Sequence, residues 1–280
     1  MEVKIVTDTL SDIPTELAQE LGITIVPLNL HFGTEIYRDK VDISTEEFYK
    51  RLVEGNVFPT TSAPPPGIFV ELFAELAKET NEILAIMTSS KFSAIHESAL
   101  QATGMVELDC TIEVIDSSLA IGGLMIAVIA AAKAARAGNS LVQISDMVKQ
   151  AIPRTHTRMA FDTLEYLRRG GRIGKAQAFL GGLLKVNPIL AVKNGEVMPI
   201  TRARNRNQAM DYLIEFARGF PQIAEIVVED ATTSDEAEML VERLGEIFPK
   251  EGIYRAKASP VVGTHVGPHV LAVSVLEGDA

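Results

Sequence analysis

Short apolar runs alternate with longer segments of helical periodicity in the first half of the chain. The short runs predict strands at residues 3–7, 23–28, 83–88 and 112–116. The longer segments predict helices at residues 14–21, 45–54, 67–79, 93–107, 119–137 and 141–152. Strands and helices that alternate in this order are typical of a mainly parallel sheet covered by helices.

The second half of the chain, after about residue 153, also predicts both strands and helices. Strands are predicted at residues 158–161, 188–192, 196–201, 223–228, 252–256 and 270–276, and helices at 204–218 and 234–247. Because no flexible linker separates the halves, we predict an α/β fold of two packed α/β domains, residues 1–155 and 156–280, with a cleft at their interface.

The composition is that of a folded protein without a disulfide framework. Of 280 residues, 47% are hydrophobic, and the one cysteine, Cys110, has no internal partner. The most apolar stretch, residues 119–132, is shorter than the roughly 20 residues that span a bilayer, so it predicts a buried helix and no integral membrane segment. The N-terminus has no pattern of a secretion signal, so we expect a cytoplasmic protein.

Four predicted loops of the first half are rich in hydroxyl and carboxyl side chains. They are residues 7–12, 59–66, 88–93 and 116–118. Any one of them is explained by helix capping, but ligands in open α/β sheets lie beyond the carboxyl ends of strands, where these loops are expected to meet. Apart from Lys91 the loops carry almost no cation, so they favour a singly charged carboxylate over a polyphosphate as ligand.

Catalytic and metal-binding motifs are missing from the sequence. The segment 170–176 has the wrong spacing for a phosphate-binding Walker loop, and no nucleophile elbow or dinucleotide fingerprint occurs. His265 and His269 are four residues apart, but Gly267 and Pro268 break a helix between them, so we expect no metal site there. We interpret His265 as a loop residue that either bonds locally or orients an anion.

Positive charge is concentrated in one stretch of an acidic chain. Between Arg168 and Arg206 nine basic residues face the single acid Glu196, a net charge of +8 in a protein of net charge −11. The rest of the chain is acidic and would repel the phosphate groups of nucleic acid, which argues against nucleic acid as a partner. The stretch favours a docking face for an acidic or phosphate-bearing partner over an ordinary solvated helix face.

Six short motifs in order give the chain a resemblance to a known family. They are residues 8–12, 60–62, 89–93, 116–117, 169–173 and 263–268. With them, essentially the whole chain resembles the DegV family, the fatty-acid-binding subunits of bacterial fatty acid kinases. The resemblance implies a protein of phospholipid metabolism with no catalytic residues, no metal and no cofactor, which binds one long-chain fatty acid in a tunnel between two domains.

The resemblance also implies roles for particular residues. Thr61 and Ser93 are expected to bind the carboxylate of the fatty acid, with Ser62 and His265 in the same polar pocket. The expected docking residues for the kinase, which phosphorylates the bound acid to an acyl phosphate, are Arg169, Arg172 and Arg202. The candidates for the apolar lining are Met159, Phe161, Phe179, Leu183 and Ile189.

Several positions depart from the pattern of the family. Ala63 and Pro65 replace the usual glutamine and serine, Ala94 and Ile95 replace a glycine and threonine, and His269 replaces a glycine. We expect these changes to affect the geometry of the carboxylate site and the preference for acyl chains more than the fold.

Two other functions are compatible with the residues themselves. One is a metal-dependent phosphate-handling enzyme that uses Asp8, Asp12 and Asp116 around a magnesium ion. The other is an interaction module whose basic stretch binds an acidic protein or nucleic acid.

Overall fold

The computed structural model of the chain describes residues 2–107, 109–180 and 186–278. The strands within these residues are β1 Lys4–Asp8, β2 Ile23–Val26, β3 Asn29–Phe32, β4 Glu35–Arg38, β5 Thr60–Ser62, β6 Glu82–Met87, β7 Thr111–Asp116, β8 Thr155–Ala160, β9 Asn187–Lys193, β10 Glu196–Ala203, β11 Ile223–Asp230, β12 Ile253–Lys257 and β13 Leu271–Glu277. The α-helices are α1 Thr15–Leu21, α2 Thr45–Glu54, α3 Pro66–Leu76, α4 Ile95–Thr103, α5 Ile121–Arg136, α6 Leu141–Ala151, α7 Glu165–Arg169, α8 Arg206–Arg218, α9 Ser234–Leu244 and α10 Pro260–Val266.

The first sheet has the strand order β2-β1-β6-β7, and all its strands are parallel. Its strands are apolar on both faces because helices cover both, as is usual for a parallel sheet. Ile5, for example, lies beside Ile23 on one side and Leu84 on the other, and all three are buried. The carboxyl ends of β1, β6 and β7 therefore point to one edge, where three of the hydroxyl-rich segments follow them.

The second sheet has the order β10-β9-β8-β13-β11-β12 and is antiparallel except for the pair β11 and β12. Ile226 and Val228 of β11 pack with α8 and α9, whereas Val227 between them packs against α5 on the other face. Helix α5 thus lies between the two sheets, which explains why it is almost entirely apolar. Gly122 permits this close approach, since an added Cβ would lie 2.9 Å from Ser274 Oγ.

A third, small sheet has the order β4-β3-β5 and is antiparallel. Gly33, with φ of +63°, makes the tight turn between β3 and β4. Sequence reasoning missed this sheet: it predicted one strand through residue 28 and a loop at 59–66. Strands of three or four residues, partly exposed, are too short to show a clear alternation.

The predicted α/β class, with a parallel first sheet and a second sheet in the later part of the chain, is confirmed. The division at residues 155 and 156 stays a prediction. Helix α10 was missed, and the interpretation of His265 as a loop residue was wrong: Gly267 ends a helix that Ser259 and Pro260 begin. Among the described residues, no helix is both long and apolar enough to cross a membrane.

Candidate functional site

A cavity of about 310 Å³ lies between the carboxyl edge of the first sheet, the third sheet and one face of the second sheet. Its walls are mainly apolar, as in most small-molecule sites. The lining residues are Leu10, Leu28, Thr61, Ser62, Ala63, Phe92, Ser93, Ala94, Ala120, Ile121, Met159, Leu167, Arg172, Val192, Val197, Val261, Val262, His265 and Val266. The four side chains that sequence reasoning assigned to the carboxylate site therefore line one cavity.

Strand β5 positions two of these four side chains. Thr61 pairs with Leu30 of β3, and the half-buried Thr61 side chain is directed to α10, where its Oγ1 lies 2.9 Å from His265 Nε2. The exposed Ser62 instead forms a hydrogen bond with His31, with 2.9 Å between Oγ and Nε2. Alternate residues of a strand point to opposite faces, which separates the surroundings of these two hydroxyl groups.

His265 lies in the last turn of α10 and is largely buried. The hydroxyl group of Ser259 caps the start of this helix, accepting from the amide of Val262. Burial lowers the pKa of His265 to about 4, helped by the neighbouring positive charge of Arg172. The imidazole is therefore neutral at neutral pH, and its Nδ1 has no hydrogen-bond partner among the described residues. An added Cβ at Gly170 would lie only 2.1 Å from that nitrogen.

Ser93 reaches the cavity from the segment that follows β6. Its side chain is buried, and its Oγ accepts weakly from the amide of Ile95 at 3.3 Å, so its hydroxyl proton remains available to a ligand. The segment is held against the β9–β10 turn: Ser89 Oγ donates to the carbonyl of Gly195, and Lys91 Nζ to that of Asn194, each at 2.9 Å. Ser93 is thus fixed by contacts with the second sheet.

The three arginines that were assigned to docking have different surroundings. Arg172 lines the cavity and donates to the carbonyls of Phe92 and Gly170 at 3.0 and 2.8 Å. Arg169 and Arg202 do not line it. Arg169 pairs with Glu165 at 2.6 Å, and the guanidinium of Arg202 stacks over the ring of Phe179 at 4.3 Å.

Acids from outside the basic stretch neutralise much of its charge. Glu165 pairs with Arg168 as well as Arg169, and Glu236 accepts from Arg206 at 2.6 Å. Lys185, one of the nine basic residues, lies outside the described residues. The linear count of +8 therefore overstates the local field, because it counted neighbours along the chain and the fold supplies other neighbours.

The carboxylates of the metal-enzyme alternative accept hydrogen bonds from backbone amides. Asp8 accepts from Leu10 and Thr88 at 2.9 and 2.8 Å, Asp116 accepts from the amides of Ser90 and Ser118, and Asp12 accepts from Ser259. No three His, Cys, Asp or Glu side chains in the described part of the chain are arranged to hold a metal ion.

Only part of the predicted apolar lining is found at the cavity. Met159 lines it, but Phe161, Phe179 and Ile189 do not, and Leu183 lies outside the described residues. Phe161 and Ile189 are fully buried core residues. Part of the lining that was missed comes from α10 and the start of α5, which directly follow hydroxyl-rich or capping segments. That position was the available signal for this part.

Comparison with known proteins identifies the family to which this architecture belongs. The model of the DegV family matches residues 2–278. The chain belongs to the DegV family. A DegV domain-containing protein of Caldanaerobacter subterraneus is 39% identical over 276 residues, 97% of this chain and 98% of that protein. The resemblance on the six short motifs is thereby confirmed.

Solved DegV structures share the whole fold. A DegV family protein from Thermus thermophilus, described by its fatty acid binding, superposes with a TM-score of 0.92 at 31% identity, covering 99% of this chain and 100% of that one. DegV of Bacillus subtilis, described as a fatty acid binding protein, gives 0.89 at 30% identity, with coverage of 99% and 100%.

Proposed function

We propose that the protein binds one long-chain fatty acid in the cavity and presents its carboxylate to a fatty acid kinase, which forms the acyl phosphate. The observation that carries the proposal is the combination of apolar walls with Thr61, Ser93 and His265 in one cavity. The DegV relatives that are described as fatty acid binding proteins support it. In this role the protein binds and orients a substrate, and the kinase supplies the chemistry of phosphoryl transfer.

The apolar walls account for the affinity. Burial of one methylene group is worth about 0.8 kcal/mol, so a tail of about fourteen methylenes gains roughly 11 kcal/mol before the entropic cost of ordering it. The polar groups then have a different task, which is to fix the position of the carboxylate. A small number of well-placed polar groups in an apolar site is the usual arrangement for this.

The contact with His265 determines whether the hydroxyl proton of Thr61 is available to a ligand. If Nε2 carries the proton, it donates to Thr61 Oγ1, and the hydroxyl proton of Thr61 is free for a carboxylate. In the opposite tautomer, the hydroxyl group of Thr61 would donate its proton to His265 Nε2, and a buried Nδ1–H would lack an acceptor among the described residues. We assign the first tautomer, which makes His265 a positioning residue for Thr61.

Thr61 and Ser93 then act together as neutral donors to the carboxylate. Arg172, whose guanidinium is held by two backbone carbonyls, adds positive charge at the same cavity. Hydroxyl donors hold an anion without the close pairing of charges that would reduce the nucleophilicity of its oxygen. Ser62 lies at the side of this group, and the departures Ala63 and Ala94 line the wall beside it.

The test of the proposal is whether a fatty acid travels with the protein and depends on these hydroxyl groups. We expect native mass spectrometry to find one fatty acid per chain. Thr61→Val and Ser93→Ala should each weaken binding of added palmitate about tenfold, the value of one hydrogen bond to a charged group. Thr60→Val is the matched control, since Thr60 is exposed on the same strand and does not line the cavity. Absence of any fatty acid, before or after its addition, would overturn the proposal.

A further inference from the structure

Four carboxyl groups are buried where β1 and β11 approach the start of α10. Asp12 lies shortly after β1, Asp39 directly follows β4, and Glu229 and Asp230 end β11. Each exposes at most 2% of its surface. Asp230 is compensated by an ion pair with Lys257 at 2.6 Å. The other three, Asp12, Asp39 and Glu229, form what is here called the carboxyl cluster.

The carboxyl cluster contains more acid than its surroundings neutralise. The ammonium group of Lys40 faces it, 4.0 Å from Asp12 Oδ1. Arg255 and Lys257 line the same pocket as Asp12, but they pair with Glu238 and Asp230, each at 2.6 Å. Neither oxygen of Asp39 nor Oδ2 of Asp12 has a hydrogen-bond partner among the described residues, and Asp12 and Glu229 lie close enough to share a hydrogen bond when one of them is protonated. Two carboxyl groups in a mutual hydrogen bond share a proton, and three buried carboxylates beside one ammonium would leave two uncompensated charges. The folded protein therefore holds protons in this cluster.

The remaining groups that face the cluster do not remove its need for protons. Tyr49 and Asp8 contribute no positive charge. The hydroxyl groups of Thr9 and Ser259, which lie near Asp39 without a hydrogen bond to it, offset the effect of its burial only in part. Burial is the main cause that raises the pKa of Asp39 to about 7 and raises those of Asp12 and Glu229. Asp39 therefore loses its proton around neutral pH, which adds a negative charge beside Asp12 and Glu229.

Two members of the cluster hold the starts of two helices. Asp12 Oδ1 accepts from the amide of Ser259, the residue that caps α10, at 2.9 Å. Glu229 Oε2 accepts from the amide of Gly122, in the first turn of α5, also at 2.9 Å. A proton shared between Asp12 and Glu229 therefore ties the start of α10 to the start of α5.

Both helix starts form part of the cavity wall. Helix α10 contributes Val261, Val262 and His265, and Ile121 is the first residue of α5. The tyrosine hydroxyl of Tyr49 donates to the carbonyl of Ala258 at 3.0 Å and gives α10 a further attachment beside the cluster. A change of charge in the cluster therefore acts directly on the wall of the cavity.

We propose that the carboxyl cluster is a proton-dependent latch: when the cluster loses protons, its carboxylates repel one another, the starts of α10 and α5 separate, and the cavity exchanges its ligand faster. The latch rests on the proposed function only for the identity of that ligand. Opening of the helix starts is a property of the protein alone.

Hydrogen exchange of the full-length protein tests the latch. After correction for the intrinsic pH dependence of exchange, we expect the amides of residues 259–264 and 122–125 to be about tenfold less protected at pH 8 than at pH 6. Glu229→Gln keeps an acceptor for Gly122 and a permanent donor to Asp12, so protection should stay at the pH 6 level. Asp39→Asn should act in the same direction and serves as the second variant. Asp42→Asn, an exposed acid that does not titrate in this range, is the control.

Two outcomes would overturn the latch: protection of these amides in the wild type that does not fall between pH 6 and 8, or a fall of the same size in both neutral variants. The rate at which bound palmitate exchanges is measured in parallel by native mass spectrometry. Binding of palmitate with pH-independent protection would refute the latch alone. A pH-dependent opening in a protein that binds no fatty acid would support the latch and refute the proposed function alone.

Discussion

The protein buries polar side chains in two neighbouring regions, the cavity and the carboxyl cluster, and burial has opposite consequences in them. Burial lowers the pKa of His265 to about 4, away from neutral pH. The same physical cause raises the pKa of Asp39 to about 7, into the neutral range. The polar end of the cavity therefore keeps one charge state between pH 6 and 8, whereas the charge of the cluster beside it changes in this range.

The two regions should differ most in how their contributions to stability depend on pH. The ordinary pKa of 3.8 for Asp39 is raised in the folded state, so its stabilising contribution is complete below pH 3.8 and is lost as the pH rises to about 7. For one such carboxyl the free energy of unfolding falls by roughly 1.4 kcal/mol per pH unit between pH 4 and 7, about 4 kcal/mol in total. Asp39→Asn should remove that part of the slope and stabilise the protein at pH 8.

Urea unfolding at several pH values between 4 and 8 measures this difference. His265→Asn is the contrast from the cavity. Burial lowers the pKa of His265 from 6.5 to about 4, so its contribution to stability rises with pH between about 4 and 6.5 and is constant above that; the substitution should steepen the fall in stability below pH 6.5 and leave the slope between pH 7 and 8 unaltered. An Asp39→Asn variant with the wild-type slope between pH 4 and 7 would show that Asp39 is ionised in the folded protein.

The fold could be predicted from the sequence where the pattern of apolar residues is long and regular. The four strands of the parallel sheet and the buried helix α5 were found with boundaries within about two residues. The small sheet with β3, β4 and β5 was not found, because its stability comes from pairing between distant residues such as Leu30 and Thr61. Helix α10 was missed because Gly267, which ends this helix, also suggested that no helix precedes it.

The residues of the candidate site were predictable by type but not by arrangement. Hydroxyl-rich segments and the family motifs brought out Thr61 and Ser93, and the structure places both at one cavity. The buried position of His265 and the free Nδ1 could not be deduced, since they depend on the approach of Gly170 from another part of the chain. The carboxyl cluster could not be predicted from the sequence either, because its members are separated by up to about two hundred residues and come together only in the folded protein.

An intermediate effect is expected from closing the space beside His265. The Cβ of Gly170→Ala would lie 2.1 Å from Nδ1, so the imidazole has to move and its contact with Thr61 is lost. We expect affinity for palmitate to fall about tenfold, with the fold retained. In a His265→Ala background the same substitution should cost little more, because the group it displaces is already absent.

Isothermal titration with palmitate at pH 7 measures all four proteins of this cycle. Additive losses in the double variant would contradict the role of His265 as a positioning residue, since they would mean that Gly170 acts on binding by another route.

The carboxyl cluster gives a contrasting prediction for affinity. Asp39→Asn should leave the affinity for palmitate at pH 6 at its wild-type value, because the latch is protonated at that pH in both proteins.

The smallest effect is expected at the surface, where charges are screened and partly paired. Arg169 is half exposed and already bonded to Glu165, and Arg202 is exposed above Phe179. Because charges at the rim of an interface act mainly on association, Arg169→Glu with Arg202→Glu should slow acyl-phosphate formation by a fatty acid kinase a few-fold at low salt and little at high salt. Arg218→Glu with Arg243→Glu, an equal change of charge on α8 and α9 at the far side of the second sheet, is the control. Equal rates for all three proteins at low salt, with palmitate bound in each, would place the kinase on another surface, while the cavity and the cluster would keep the roles proposed for them.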